Sequence, residues 1–209
     1  MSEPVSAVVG TRRSPQSLTT APRTAVLAGR FAVAATAALA AQLWLQATFR
    51  LVEHPVSLGA ANLEADPGIV RGWYRTLMEH GTYGQMIRTE VVDLIWPVTL
   101  AATLFCLYRL VGGLLRRHRP RAASLIYRLA PLGIVGPAFD LVENAFSLAM
   151  LTDPFGFPDW WAAAHVWASW AKIAGSVAAG VVGPTLTVVA LVRGRTEQRT
   201  ADDGALSPR

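Results

Sequence analysis

Four long apolar runs constrain this chain more than any other feature of its sequence. They lie at roughly 31–49, 91–115, 125–151 and 162–192. Each is long enough to cross a bilayer, which takes about 20 mostly apolar residues in a helix. The charge content agrees. Charged residues make up 16% of the 209, where a soluble domain carries about 25%, and the mean hydropathy is +0.34. The expected fold is therefore all-α: a polytopic membrane protein with a four-transmembrane-helix bundle over 24–193, between disordered cytoplasmic tails at 1–23 and 194–209. The first run contains Ala38-Leu39-Ala40, a plausible signal-peptidase site by composition. It continues through Leu43, Trp44, Leu45 and Phe49, which favours an uncleaved anchor. Thr11-Arg12-Arg13 is a poor twin-arginine signal, because the apolar run starts too far downstream.

The basic residues set the orientation. Nineteen bases against fourteen acids give a net charge of +5. Eighteen of the bases are arginine, and Lys172 is the only lysine. Arg12, Arg13, Arg23 and Arg30 precede the first run, and Arg116, Arg117, Arg119 and Arg121 join the second to the third. Arg193, Arg195, Arg199 and Arg209 follow the fourth, whereas the connection 152–161 has no base and carries Asp153 and Asp159. Arginine excess marks the cytoplasmic side, so both termini are expected inside a bacterial cell (inner) membrane. Trp160, Trp161 and Trp167 then suit the outer aromatic belt. This reading explains the basic character without nucleic acid. The short cluster 116–121 suits anionic lipid head groups instead.

The loop 50–90 is expected outside, with an amphipathic helix capping the bundle or lying on lipid. Asp66-Pro67 reads as an N-cap acid followed by proline at the first helical position. Ile69, Trp73, Leu77 and Met78 form the expected apolar stripe, flanked by Arg71 and Arg75, and His80-Gly81 ends the helix.

Ionisable groups inside a span cost several kcal/mol and need a partner or a role. At 1.5 Å per residue, Asp140 and Glu143 in the third run fall at the depth of Lys172 in the fourth. An Asp140–Lys172 ion pair is the sharpest structural expectation. Asp140, Glu143, Asn144 and Ser147 share one helix side, and His165, Ser169, Lys172 and Ser176 share another. Asp93 lies near the outer surface, one turn after Glu90. Gly175, Ala179 and Gly183 form a small-residue ladder that allows close helix approach. Pro97, Pro137 and Pro184 free the carbonyls of Asp93, Gly133 and Gly180. On these grounds Asp140, Glu143, Asp93 and Lys172 are the candidate catalytic residues. Asn144, His165, Trp96, Trp167, Trp170 and Gln46 are the candidate substrate contacts. The plainer alternative is that the charges only fix helix register.

Gly81-x-Tyr83, then Glu90-Val91-Val92-Asp93-Leu94-Ile95-Trp96-Pro97, Phe139-Asp140-Leu141-Val142-Glu143-Asn144 and Lys172 in the last helix form an ordered set. It resembles a scattered family of small bacterial four-helix membrane proteins with an intramembrane Asp-x-x-Glu-Asn, a family with no settled activity. The resemblance spans about 68–176 and implies a role for Asp93, Asp140, Glu143, Asn144 and Lys172. The Gly-Arg-x-x-Tyr element expected of the family is degraded here to Gly81-Thr82-Tyr83-Gly84. In size and in its intramembrane acids the chain is also similar in kind to the small membrane-bound terpene cyclases of bacteria.

Several chemistries lack their residues. There is no DDxxD to hold magnesium for diphosphate ionisation, no pair of histidines for haem, no GxSxG and no HExxH. Cys106 stands alone, without a partner for thiol chemistry. No metal and no cofactor is expected. Acid chemistry remains. Asp140 and Glu143 lie one turn apart in a low dielectric, where both ionise only at high cost. A carboxylic acid that keeps its proton could protonate an alkene or epoxide of an isoprenoid-like molecule, and aromatic faces could steady the resulting cation. A proton-coupled carrier or channel, dimeric if so small, and a non-catalytic scaffold are the alternatives.

Overall fold

The computed structural model describes residues 20–117 and 119–205. All its elements are helices: α1 (Thr20–Arg50), α2 (Leu58–Ala61), α3 (Pro67–Glu79), α4 (Tyr83–Asp93), α5 (Ile95–Leu115), α6 (Pro120–Leu129), α7 (Leu132–Thr152) and α8 (Trp160–Ala205). Among the described residues, three stretches are long and apolar enough to cross a membrane: Arg23–Arg50, Tyr83–Leu115 and Pro120–Thr152. The expected tails are shorter than the sequence suggests. Residues 1–19 and 206–209 lie outside the described residues, but 20–23 belong to α1 and 194–205 to α8. No proline follows Pro184 until Pro208, so nothing forces α8 to stop at 193.

Proline explains the two interruptions. Pro97 has no N–H for the carbonyl of Asp93, and its ring crowds that carbonyl. The chain breaks at Leu94 and restarts as α5. Pro131 separates α6 from α7 for the same reason, so the third apolar run is two helices and not one. Pro137 stays inside α7.

The helix α5 packs against α1, α6 and α7, and α7 pairs most extensively with α8. Helix α1 is applied to the outside of α4 and α5. The closest approach is between α7 and α8. A Cβ on Gly175 would stand 2.8 Å from the backbone nitrogen of Gly136, and one on Gly136 would stand 2.9 Å from the Lys172 carbonyl. The small-residue ladder thus works at Gly175. Its partner Gly136 goes unnoticed in the sequence, and the surroundings of Gly183 and Pro184 lie outside the described residues.

Polarity is inverted relative to a water-soluble bundle. Val33, Leu43, Val98 and Val177 face outward, while Glu90, Asp93, Asp140, Glu143 and Asn144 are buried. This is the distribution expected where the solvent is lipid. Two apolar clusters bracket the buried acids. One contains Tyr108, Leu115, Ala123, Ile126 and Ala130 at the arginine-rich end. The other joins Val52, Val70, Tyr74, Leu77 and Met86 to Met150, Leu151, Phe157 and Ala162.

That second cluster is the packed underside of the loop between α1 and α4. The loop caps the bundle. Asp66 Oδ1 accepts from the N–H groups of Gly68 (2.7 Å) and Ile69 (3.3 Å), and Gly81 at φ +72° ends the helix after His80. The buried face of α3 is Val70, Tyr74 and Leu77; Trp73 packs at its edge. Ile69 and Met78, which belong to the expected apolar stripe, are exposed. The face is rotated by one residue because Tyr74 takes the central place, edge-on to Tyr83 and Phe157. Arg71 pins the cap to the start of α8. Its Nη2 donates to the Phe157 carbonyl at 2.8 Å and to Asp159 at 2.6 Å, with the guanidinium over the Phe157 ring.

Candidate functional site

Between the two apolar clusters, α4, α7 and α8 bring four carboxyl groups and one ammonium together. Lys172 Nζ lies 2.9 Å from Asp140 Oδ1 and 2.5 Å from Glu143 Oε2. The expected Asp140–Lys172 pair is present, but Lys172 also holds the second acid. The short reach follows from the glycine crossing one turn away, which brings the α8 backbone close enough for a lysine to span both acids.

The other two acids come from α4. Glu90 and Asp93 are each 6% exposed. Glu90 lies beside Ser147, Asp93 beside Asn144, and both are within electrostatic reach of Lys172. The sequence reading puts Asp93 near the outer surface and gives Glu90 no role. The structure buries both, because α4 extends the span outward to Tyr83 and the cap lies over it. A signal for Glu90 is present in the sequence. Glu90-x-x-Asp93 repeats, in reverse order, the spacing of Asp140-x-x-Glu143, and one-turn spacing puts both acids of each pair on one helix face.

His165 is buried, with Nε2 3.8 Å from Glu143 Oε1. Ser169 is fully buried, and its hydroxyl donates to the carbonyls of Asn62 (2.8 Å) and His165 (3.1 Å). The first of these bonds ties the cap directly to the site. Among the described residues, Asp93 Oδ1, Glu143 Oε1 and Asn144 Nδ2 are buried polar atoms without a hydrogen-bond partner. A buried polar atom left without a partner costs about 1–3 kcal/mol. Among the described residues, no three His, Cys, Asp or Glu side chains converge to share a metal ion.

The expected substrate contacts divide. Asn144 and His165 belong to the cluster. Trp167 is 75% exposed and Trp170 is 53% exposed; both rings face away from the acids. Their positions follow from the helix period. The face of α8 holding His165, Ser169 and Lys172 is turned inward, and 167 and 170 fall on the other side. Trp96 is half-buried one turn after Asp93. Gln46 is half-buried on α1, which packs chiefly on α5 and α4.

Compared with protein families, curated proteins and solved structures, the chain matches none.

Proposed function

We propose that the chain is a four-span integral membrane protein, with α8 as the fourth span and the arginine-rich end in the cytoplasm, and that its acid cluster is a general acid for a lipid-like substrate. The reaction would be a metal-independent, proton-initiated cyclisation of an isoprenoid alkene or epoxide. One observation carries this reading: four carboxyl groups are buried in one cluster with a single ammonium, which contacts only two of them. Purely structural pairing would leave charge balanced. Four acids and one lysine balance in a low dielectric only if protons remain on some of the acids. Lys172 serves Asp140 and Glu143, which leaves Asp93 and Glu90 as the groups to hold those protons.

In the proposed step, the Asp93 or Glu90 carboxyl gives its proton to an alkene carbon of the substrate. The π pair forms the new C–H bond and a cation forms on the neighbouring carbon. An internal alkene closes on that cation, and loss of a proton to the carboxylate restores the acid. No oxidant or metal takes part in this balance. The acid needs no continuous proton path across the membrane. In keeping with that, the hydroxyls toward the arginine-rich end are engaged: Thr99 and Thr103 donate to carbonyls of their own helix, and Tyr108 donates to Ala179.

The test is product formation in membranes containing the chain, supplied with polyprenyl alkenes and their terminal epoxides. Asp93→Asn with Glu90→Gln is expected to lower turnover by about 10²–10⁴-fold, the usual worth of a general acid. Undiminished product in that double variant overturns the reading. A pH-driven flux into proteoliposomes, lost in Asp140→Asn, would replace it with a proton-coupled carrier.

A further inference from the structure

At the opposite end of the molecule from the acids, α1, α5 and α6 enclose a groove of about 860 Å³. Five arginines line it: Arg23 and Arg30 from α1, and Arg109, Arg116 and Arg117 from the end of α5 and the turn after it. Among the described residues no acid lines it, and none occurs at 20–52 or at 94–139. Among the described residues, no carboxylate pairs with any of the five.

The arginines stand in two tiers. Arg23 and Arg30 are seven residues apart on α1, and Arg109 and Arg116 are seven apart on α5. The two helices are packed together and run in opposite directions, so Arg30 and Arg109 form one tier, about 10 Å deeper than the other. Topology alone needs arginines only at the membrane edge. The deeper pair calls for a counter-charge, because a cation drawn toward the hydrocarbon is costly without one. Arg109 is held there over the Tyr127 ring, 5.2 Å from its centroid. Gly113 lines the groove, and Gly112 beside it packs under the Tyr127 ring. A Cβ on Gly112 would stand 2.7 Å from the Tyr127 ring, and one on Gly113 would stand 2.8 Å from Leu27 Cδ1. Beside the charges, Val26 and Leu114 are more than half exposed.

Exposed arginines bordering a groove, with bare aliphatic side chains alongside, match an anion that carries hydrocarbon. We propose that this groove binds the phosphate head group of an anionic glycerophospholipid from the leaflet at the arginine-rich end. Guanidinium forks grip the phosphate, and the acyl chains lie along Val26 and Leu114. Arginine suits this role because its planar fork meets two phosphate oxygens at once. The site is independent of the acid chemistry at the other end.

The full chain, purified in detergent, is equilibrated with phosphatidylglycerol or phosphatidylcholine and read by native mass spectrometry. Phosphatidylglycerol is expected to be retained at least about tenfold more strongly. Arg30→Gln, Arg109→Gln and Arg117→Gln together should reduce that retention about a hundredfold, from roughly fivefold per arginine. The corresponding Arg→Lys triple variant keeps the charge that directs insertion and should lose only part of the binding. Arg75→Gln with Arg88→Gln, in the loop and helix at the far end, should change nothing. Equal retention of the two lipids overturns the proposal, as does full retention in the glutamine variant. Complete displacement of the lipid by millimolar inorganic phosphate also overturns it, because the site would then serve a free anion.

Discussion

Gly175 crosses Gly136 so closely that a methyl group on the first would stand 2.8 Å from the backbone nitrogen of the second. The contact lies one turn from Lys172 and Asp140, so the spacing of α7 and α8 and the reach of the lysine are a single geometric fact. Gly175→Ala must push the two backbones apart. It is expected to destabilise the protein by about 1–3 kcal/mol, the usual cost of overpacking, and to lengthen the Lys172–Asp140 contact. Thermal unfolding in detergent checks the first effect, and a structure of the variant checks the second. An unchanged midpoint would show that the helices yield freely.

Lys172→Met leaves Asp140 and Glu143 buried without their cation. Breaking such a pair costs about 3–5 kcal/mol. Adding Asp140→Asn and Glu143→Gln to Lys172→Met should recover most of that loss, because the uncompensated charge is then gone. Denaturant titration of the single and triple variants compares them. Equal stability of the two would mean that the ion triad is not coupled to the fold.

Arg71 joins the cap to α8 through a backbone carbonyl and an exposed aspartate. The Asp159 contact is solvent-screened, so the Phe157 carbonyl is the stronger partner. Arg71→Ala should weaken the cap by about 1 kcal/mol with little effect on the helices beneath. Faster hydrogen exchange over α3, and unchanged exchange over α7, is the expected pattern.

His54 sits in the cap between Phe49 and Trp73, where burial holds its pKa below the ordinary 6.5. The folded cap therefore binds this proton less readily than the open one. Cap stability is full above pH 6.5 and falls as pH drops from there through the depressed value. Amide protection at 51–62, taken relative to the intrinsic exchange rate at each pH, should fall on mild acidification, and His54→Phe should flatten that response.

The apolar runs, the charge asymmetry and the Asp140–Lys172 pairing were legible because each is a matter of length, count or period. Asp66-Pro67 marked the start of α3 to the residue, since capping is local chemistry. What escaped depends on partners far away in sequence. Tyr74 rather than Trp73 centres the buried face of α3 because Tyr83 and Phe157 meet it there. Glu90 enters the acid cluster because the cap covers α4, and no window around residue 90 contains the cap. Trp167 and Trp170 attracted attention as aromatics, but the helix period that turns His165 and Lys172 inward turns them outward. Gly136 drew none, for its value lies wholly in the helix that crosses it.

The cap has one more consequence. Asn62 receives the hydroxyl of Ser169, and behind that bond Val52, Leu77 and Phe157 are buried to 2% exposure or less. Water on that side meets a closed lid. A molecule bound for the acids would arrive sideways, out of the surrounding lipid. The concentration governing its encounter with Asp93 and Glu90 is then its mole fraction in the bilayer. Diluting the membrane with inert phospholipid should slow such a reaction, while diluting the aqueous phase should leave a strongly partitioned substrate's rate unchanged.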